Sequence, residues 1–168
     1  VTATRVPTPR DRIPAPVTVI DRQTIQENGY VTLAEALATV PGFRLVQAGG
    51  LGQQASGFAR GANARQVLVL MNGVPVNDPS EPNGAFNFGN ELLGDVERIE
   101  VVRGPVSAVY GTAAIGGVVN LITRQAPRDR TFAPYGEVAG GTQRTARGYV
   151  GAGGTVGNFD YGVTGQAL

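Results

Sequence analysis

The chain has 168 residues, 42% hydrophobic and 16% charged, enough for one domain with a real core, but its 25 glycines and 11 prolines exclude a helical bundle and point to turns and short strands. The formal net charge is +1 with all 14 cations arginine, so there is no single-sign field and no case for nucleic acid. The absence of Cys and His removes disulfides, thiol nucleophiles, imidazole bases and most zinc sites, and no run of 18 apolar residues forms a transmembrane helix.

Residues 1–16 read as an extended arm, because Pro7, Pro9, Pro14 and Pro16 forbid helix and deny ladder donors; a solvated tether is the plain alternative. Residues 17–20 suit a short strand, after which Asp21 caps a brief helix that Asn28-Gly29 stops. Thr32 and Glu35 form a capping box. Leu33, Leu37 and Val40 then share one face of a second helix that Pro41-Gly42 ends. Residues 67–71 are a continuous apolar run followed by Asn72-Gly73 and Val74-Pro75-Val76, the strongest hairpin signal in the chain. Residues 77–90, with Pro79, Pro82, Gly84, Phe86 and Phe88, lack periodicity and read as a long functional loop.

From Val96 to Arg103, Glu97, Arg98, Glu100 and Arg103 interleave with branched apolar residues, which predicts a strand packed on one face and wet or ion-paired on the other. Gly104-Pro105 ends it, and a short helical segment closes at Gly111. Gly116-Gly117 suits a bulge or a close backbone approach before Val118, Val119, Leu121 and Ile122, a buried strand. Two core strands joined by a Gly-rich turn in any α/β domain would carry the same periodicity.

After residues 126–130 the texture becomes Gly-rich and thinly apolar. Phe159, Tyr161 and Val163 alternate with Asp160, Thr164 and Gln166, as in a transmembrane β-strand or, equally, a soluble meander. A turn over residues 153–158 separates two such segments, and residues 135–141 form an earlier one. Three strands cannot close a barrel, whose plugged forms have roughly 22.

The order of these motifs resembles the plug domain of TonB-dependent outer-membrane receptors. The stretch Arg103-Gly104-Pro105, Ser107-Ala108-Val109-Tyr110-Gly111, then Gly116-Gly117-Val118-Val119-Asn120-Leu121-Ile122-Thr123 carries most of the likeness. Gly57-Phe58-Ala59-Arg60-Gly61 and the Asn72-Gly73 hairpin support it over about 120 residues in the right order, although Ala59 is smaller than the family's usual residue and Met71-Asn72 stands where an aspartate often precedes the glycine. The resemblance implies an α+β plug, a small mixed β-sheet with short helices at residues 17–126, preceded by a coupling box remnant and arm at 1–16 and followed at 131–168 by the first antiparallel strands of a transmembrane β-barrel that this chain leaves incomplete.

It also implies roles. Val1, Thr2, Ala3, Thr4 and Arg5 look like the end of the box that pairs with the periplasmic partner TonB by strand addition. Arg60 and Arg103 resemble the plug arginines that clamp glutamates on the barrel wall, a task that suits a planar guanidinium; solvation, or pairing with Glu97 or Glu100, is the plain alternative. Gln47, Gln53, Gln54, Asn77, Asn83, Phe86 and Phe88 are the candidate ligand-facing residues, able to hydrogen-bond and stack on a chelate. The implied protein is no enzyme, has no cofactor or bound metal of its own, sits in the outer membrane of a Gram-negative bacterium with lipid around its barrel, and takes up a ferric siderophore or cobalamin.

Two other classes remain in view. Gly50-Leu51-Gly52-Gln53-Gln54-Ala55 matches a dinucleotide-binding G-x-G-x-x-A, but Ser56-Gly57 opposes the helix it needs, and no acidic residue lies between Glu35 and Asp78. A soluble periplasmic binding or interaction module with no barrel is the other.

Overall fold

The computed structural model describes Val1 and residues 8–13, 15–49, 53–59, 61–62, 64–77, 84–104, 107–125, 127–140 and 146–167. They fall into two compact units, Val1–Thr123 and Arg124–Leu168.

The first unit is built on a five-stranded mixed sheet in the order β1-β6-β7-β4-β5, formed by β1 (Val17–Asp21), β4 (Val67–Met71), β5 (Val74–Pro75), β6 (Val96–Arg103) and β7 (Gly117–Thr123). The β4–β7 pair is parallel and the other three are antiparallel. A separate two-stranded ribbon joins β2 (Phe43–Gln47) to β3 (Ala55–Ala59). Three short helices complete it: α1 (Arg22–Glu27), α2 (Leu33–Ala38) and α3 (Ser107–Tyr110).

The local signals explain most of these elements. The Asp21 carboxylate accepts from the Thr24 N–H at 2.8 Å to open α1. Thr32 and Glu35 close both halves of the capping box on α2. That helix ends at Ala38, with the last turn tightened by the Val40 N–H donating to the Leu37 carbonyl at 3.0 Å, because Pro41 disfavours a helical residue before it; Val40 still shares one core with Leu33 and Leu37. The Asn72-Gly73 turn has positive φ at both residues, 52° and 85°, as a tight hairpin demands.

The sheet is covered on both faces. Val67, Val69, Ile99, Val101, Val119 and Leu121 meet the ribbon and the first two helices in one core, while Leu68, Leu70, Val102 and Val118 meet Ala114, Tyr110, Ile13 and Ala15 in another. The face of β6 predicted to be wet or ion-paired is ion-paired: Glu100, 1% exposed, pairs with Arg98 at 2.9 Å on a side of the sheet that is itself covered. The arm is no plain tether where it is described: Ile13 and Ala15 pack on the second core, and Val1 exchanges hydrogen bonds with Thr8. Gly117 fulfils the expected close approach, since its φ is 150° and a Cβ there would lie 2.5 Å from the Val102 carbonyl oxygen.

The second unit is a three-stranded antiparallel sheet, β10-β9-β8, from β8 (Ala133–Gly140), β9 (Ala146–Val156) and β10 (Phe159–Ala167). Its second turn is tighter than the sequence suggests, because β9 runs on to Val156 and only Gly157-Asn158 remain outside the ladder.

Candidate functional site

Register decides which candidate residues meet. The β2–β3 ribbon pairs Gln47 with Ala55, so Gln53 and Gln54 lie in the connection between its strands, both exposed, with the Ala48 N–H bonded to the Gln54 carbonyl at 3.0 Å. The second candidate loop comes back to this connection. Phe88 N–H donates to the Ala55 carbonyl at 3.0 Å, and the Asn87 side-chain Oδ1 accepts from Ala55 N–H at 3.0 Å and from Gly89 N–H at 3.0 Å. Gly89 leaves room for the Gln53 carbonyl oxygen, which would stand 2.0 Å from any Cβ at that position. Gln47, Gln53, Gln54 and Phe86 therefore belong to one neighbourhood.

Phe88 does not present its ring there. It is fully buried, edge-on to Phe43 at 5.8 Å and to Phe86 at 5.1 Å, against a face of Gly57 that has no room for a Cβ. A ring so enclosed has no exposed face to stack on a ligand, which corrects its place among the ligand-facing residues; Phe86 is half-buried and keeps part of its surface. Asn77 is also occupied. Its Oδ1 accepts from Val69 N–H at 2.7 Å, and its Nδ2 donates to the carbonyls of Val67 at 3.2 Å and Gly84 at 3.1 Å, so it acts as a strut between β4 and the loop. Asn83, Arg60 and Thr2, Ala3, Thr4 and Arg5 lie outside the described residues; of the box only Val1 is described, half-buried.

Arg103 lies elsewhere, at the end of β6. Its Nη1 donates to the Pro41 carbonyl and its Nη2 to the Thr18 hydroxyl at 3.1 Å, while its Nε is buried without a partner. Among the described residues no carboxylate pairs with it; Glu100, one of its proposed partners, pairs with Arg98. Both carbonyl and hydroxyl leave the positive charge uncompensated, so the group retains capacity for an anion.

Sequence reasoning missed three residues that the fold uses. Asn87 could have been suspected from its Asn-Phe-Gly turn chemistry. Asn120 and Glu100, opposite each other on β7 and β6, are buried polar groups; Asn120 accepts from the Gly73 N–H at 3.1 Å. Their burial depends on distant strands and leaves no local signal. Near the start of α2, where its carbonyl accepts from the Leu33 N–H, Glu91 is held above the usual carboxylate range, first by burial and then by the Asp95 charge. No group of three or more acidic residues able to hold a metal occurs among the described residues.

In the second unit, the register sorts side chains by chemistry. One face carries Val138, Val150, Val156, Phe159, Tyr161 and Val163, of which Val138 is 83%, Phe159 70% and Val163 73% exposed. The other carries Glu137 with Tyr149, whose hydroxyl donates to it at 2.9 Å, and Thr155 with Asp160 at 2.7 Å. Tyr135 lies across Gly151 to bond Thr164, and the Arg124 guanidinium sits 4.4 Å from its ring centre. An exposed apolar face backed by a polar one is what a strand between lipid and lumen requires.

An α+β domain on a small mixed sheet, followed by antiparallel strands of this kind, is the layout of a membrane β-barrel receptor with a plug. The chain matches the TonB-dependent receptor plug domain over residues 9–118 and belongs to that family. It is similar to the vitamin B12 transporter BtuB of Vibrio vulnificus (strain CMCP6), with 43% identity over 123 residues, 73% of this chain and 20% of that protein. Among solved structures it is similar to the siderophore receptor PiuA from Acinetobacter baumannii, at 30% identity and a TM-score of 0.71 over 90% of this chain and 20% of PiuA. A mutant of the ferric enterobactin receptor PfeA from Pseudomonas aeruginosa, in complex with enterobactin, gives 28% identity and a TM-score of 0.69 over 92% of this chain and 25% of that one. The chain thus spans a fifth to a quarter of the length of these relatives, between 20% and 25%.

Proposed function

We propose that this chain is the gating plug and the first wall strands of an outer-membrane transporter that takes up a scarce metal chelate without altering it, driven through TonB. The observation that carries the reading is the second unit's largely apolar and mostly exposed face, in strands that follow a plug-family domain in the sequence; such a face would be an aggregation hazard in a soluble module and suits lipid. In this reading the apical surface formed by Gln47, Gln53, Gln54, Asn83 and Phe86 meets the ligand, and the loop held by Asn77 is placed for it. Arg103, whose charge is uncompensated among the described residues, and Arg60 clamp glutamates of later wall strands. Thr2 to Arg5, with Val1, pair with TonB as an added strand.

Cobalamin is the first ligand to try, given the 43% identity to a vitamin B12 transporter, and a ferric siderophore is the second, given the likeness to PiuA at 30%. The test is uptake of labelled cyanocobalamin and of ferric enterobactin by cells that express the full-length protein in place of their own receptors. The expected result is uptake of one probe that disappears without TonB. Deletion of residues 1–5 should abolish uptake while binding at the cell surface persists. Uptake that is indifferent to TonB would refute the coupling, and binding of neither probe would refute the ligand class.

A further inference from the structure

The two candidate ligand loops come from segments more than 30 residues apart, yet one side-chain oxygen holds both. Asn87 Oδ1 accepts the Ala55 N–H at the end of the ribbon and the Gly89 N–H within its own loop, each at 3.0 Å. Ala55 and Gly89 are buried, and among the described residues Asn87 Oδ1 is the acceptor for both N–H groups; an unmade buried hydrogen bond is costly. The missing side chain of Gly89 admits the Gln53 carbonyl, and Phe88 N–H ties back to Ala55 on the same rung. Phe88 then anchors the loop in the core beside Phe43. The Nδ2 of Asn87 has no part in these bonds.

We propose that Asn87 is a positioning residue for ligand recognition: it locks residues 53–55 and 84–90 into one rigid platform, so that Gln53, Gln54 and Phe86 are presented together and bind as a unit. The proposal rests on the reading that these loops face the ligand. A platform ordered in advance spares the ligand the cost of ordering two loops, and losing that order weakens binding with no contact to ligand removed. Because only the oxygen of Asn87 is used, Asp should replace it and Ala should not.

The experiment uses the full-length protein in detergent, with cyanocobalamin and ferric enterobactin as probes, and reads equilibrium affinity beside amide hydrogen exchange. Asn87→Ala is expected to weaken the probe that the wild type binds by about tenfold, the equivalent of about 1.4 kcal/mol. Exchange at Ala55 and Gly89 should accelerate together while Val119 and Leu121 keep their protection. Asn87→Asp should restore both readouts. Gly89→Ala, which drives a Cβ into the Gln53 carbonyl, should weaken binding while leaving Asn87 intact. Thr32→Ala, which loosens the distant capping box, should leave affinity unchanged. Freed exchange at Ala55 with unchanged affinity overturns the positioning role, and exchange that rises at Gly89 alone overturns the coupling. If the wild type binds neither probe, the ligand reading itself is overturned, and the exchange data still decide whether Asn87 joins the loops.

Discussion

Truncation of Phe88 separates a core role from a ligand role. The side chain is fully buried and meets two rings edge-on, Phe43 at 5.8 Å and Phe86 at 5.1 Å, with Gly57 beneath it. Phe-to-Ala changes in such cores cost about 3–5 kcal/mol, and two aromatic partners place this one in the upper half, about 4 kcal/mol. Phe88→Leu keeps most of the volume and should cost about 1.5 kcal/mol. Because the loss falls where the rings converge, opening free energies from native-state hydrogen exchange should drop at Ala55, Ala59 and Val69, while amides of the second unit stay as they were. A loss below about 0.5 kcal/mol at those amides, accompanied by weaker ligand binding, would show that the ring faces a ligand and that the core assignment is wrong.

Three further outcomes follow from other parts of the molecule. Gly117→Ala, at φ 150° and 2.5 Å from the Val102 carbonyl, should cost at least about 2 kcal/mol, read as faster exchange along β6 and β7; an unchanged profile would refute the close approach. Glu91, with its carboxyl pKa raised by burial and then by Asp95, takes up protons on folding, so its charge costs stability as pH rises from the usual carboxylate range through the raised value. Glu91→Gln should therefore raise the thermal midpoint at pH 7 and be neutral below about pH 4, where the acid is protonated in both states; a gain that persists at the lower pH would contradict this. Val150→Arg, on the apolar face, should hinder folding into lipid vesicles by about 2–4 kcal/mol near the bilayer centre, whereas Gln166→Arg on the opposite face should be tolerated. Equal effects would remove the lipid-facing assignment.

What the sequence discloses here is what short-range chemistry controls. Asp21, the Thr32/Glu35 box and Asn72-Gly73 each act within four residues, and the structure uses all of them as caps and turns. The strand pair around Gly117 was legible because a glycine pair before an apolar run has few other uses. Burial of charge was not legible: Glu100 looks solvent-facing in a strand that alternates, and it is covered because segments distant in sequence pack on the second face of the sheet. Phe88 misled for a related reason. In a segment with no periodicity nothing marks an inward ring, and its pocket is supplied by Phe43 and Gly57, more than 30 residues earlier. Arg103 was recognised by its neighbours in sequence, but its contacts, the Pro41 carbonyl and Thr18, come from folding alone.

The strut made by Asn77 bears on how this sheet avoids recruiting other chains. By taking the free N–H of Val69 and the free carbonyl of Val67, one amide side chain occupies outer-edge groups of β4 beyond the two-residue β5, while the Val76 N–H takes the Val69 carbonyl. Pro75 has no N–H to offer next in line. Among the described residues, that side of the sheet thus offers few free backbone groups to an incoming strand.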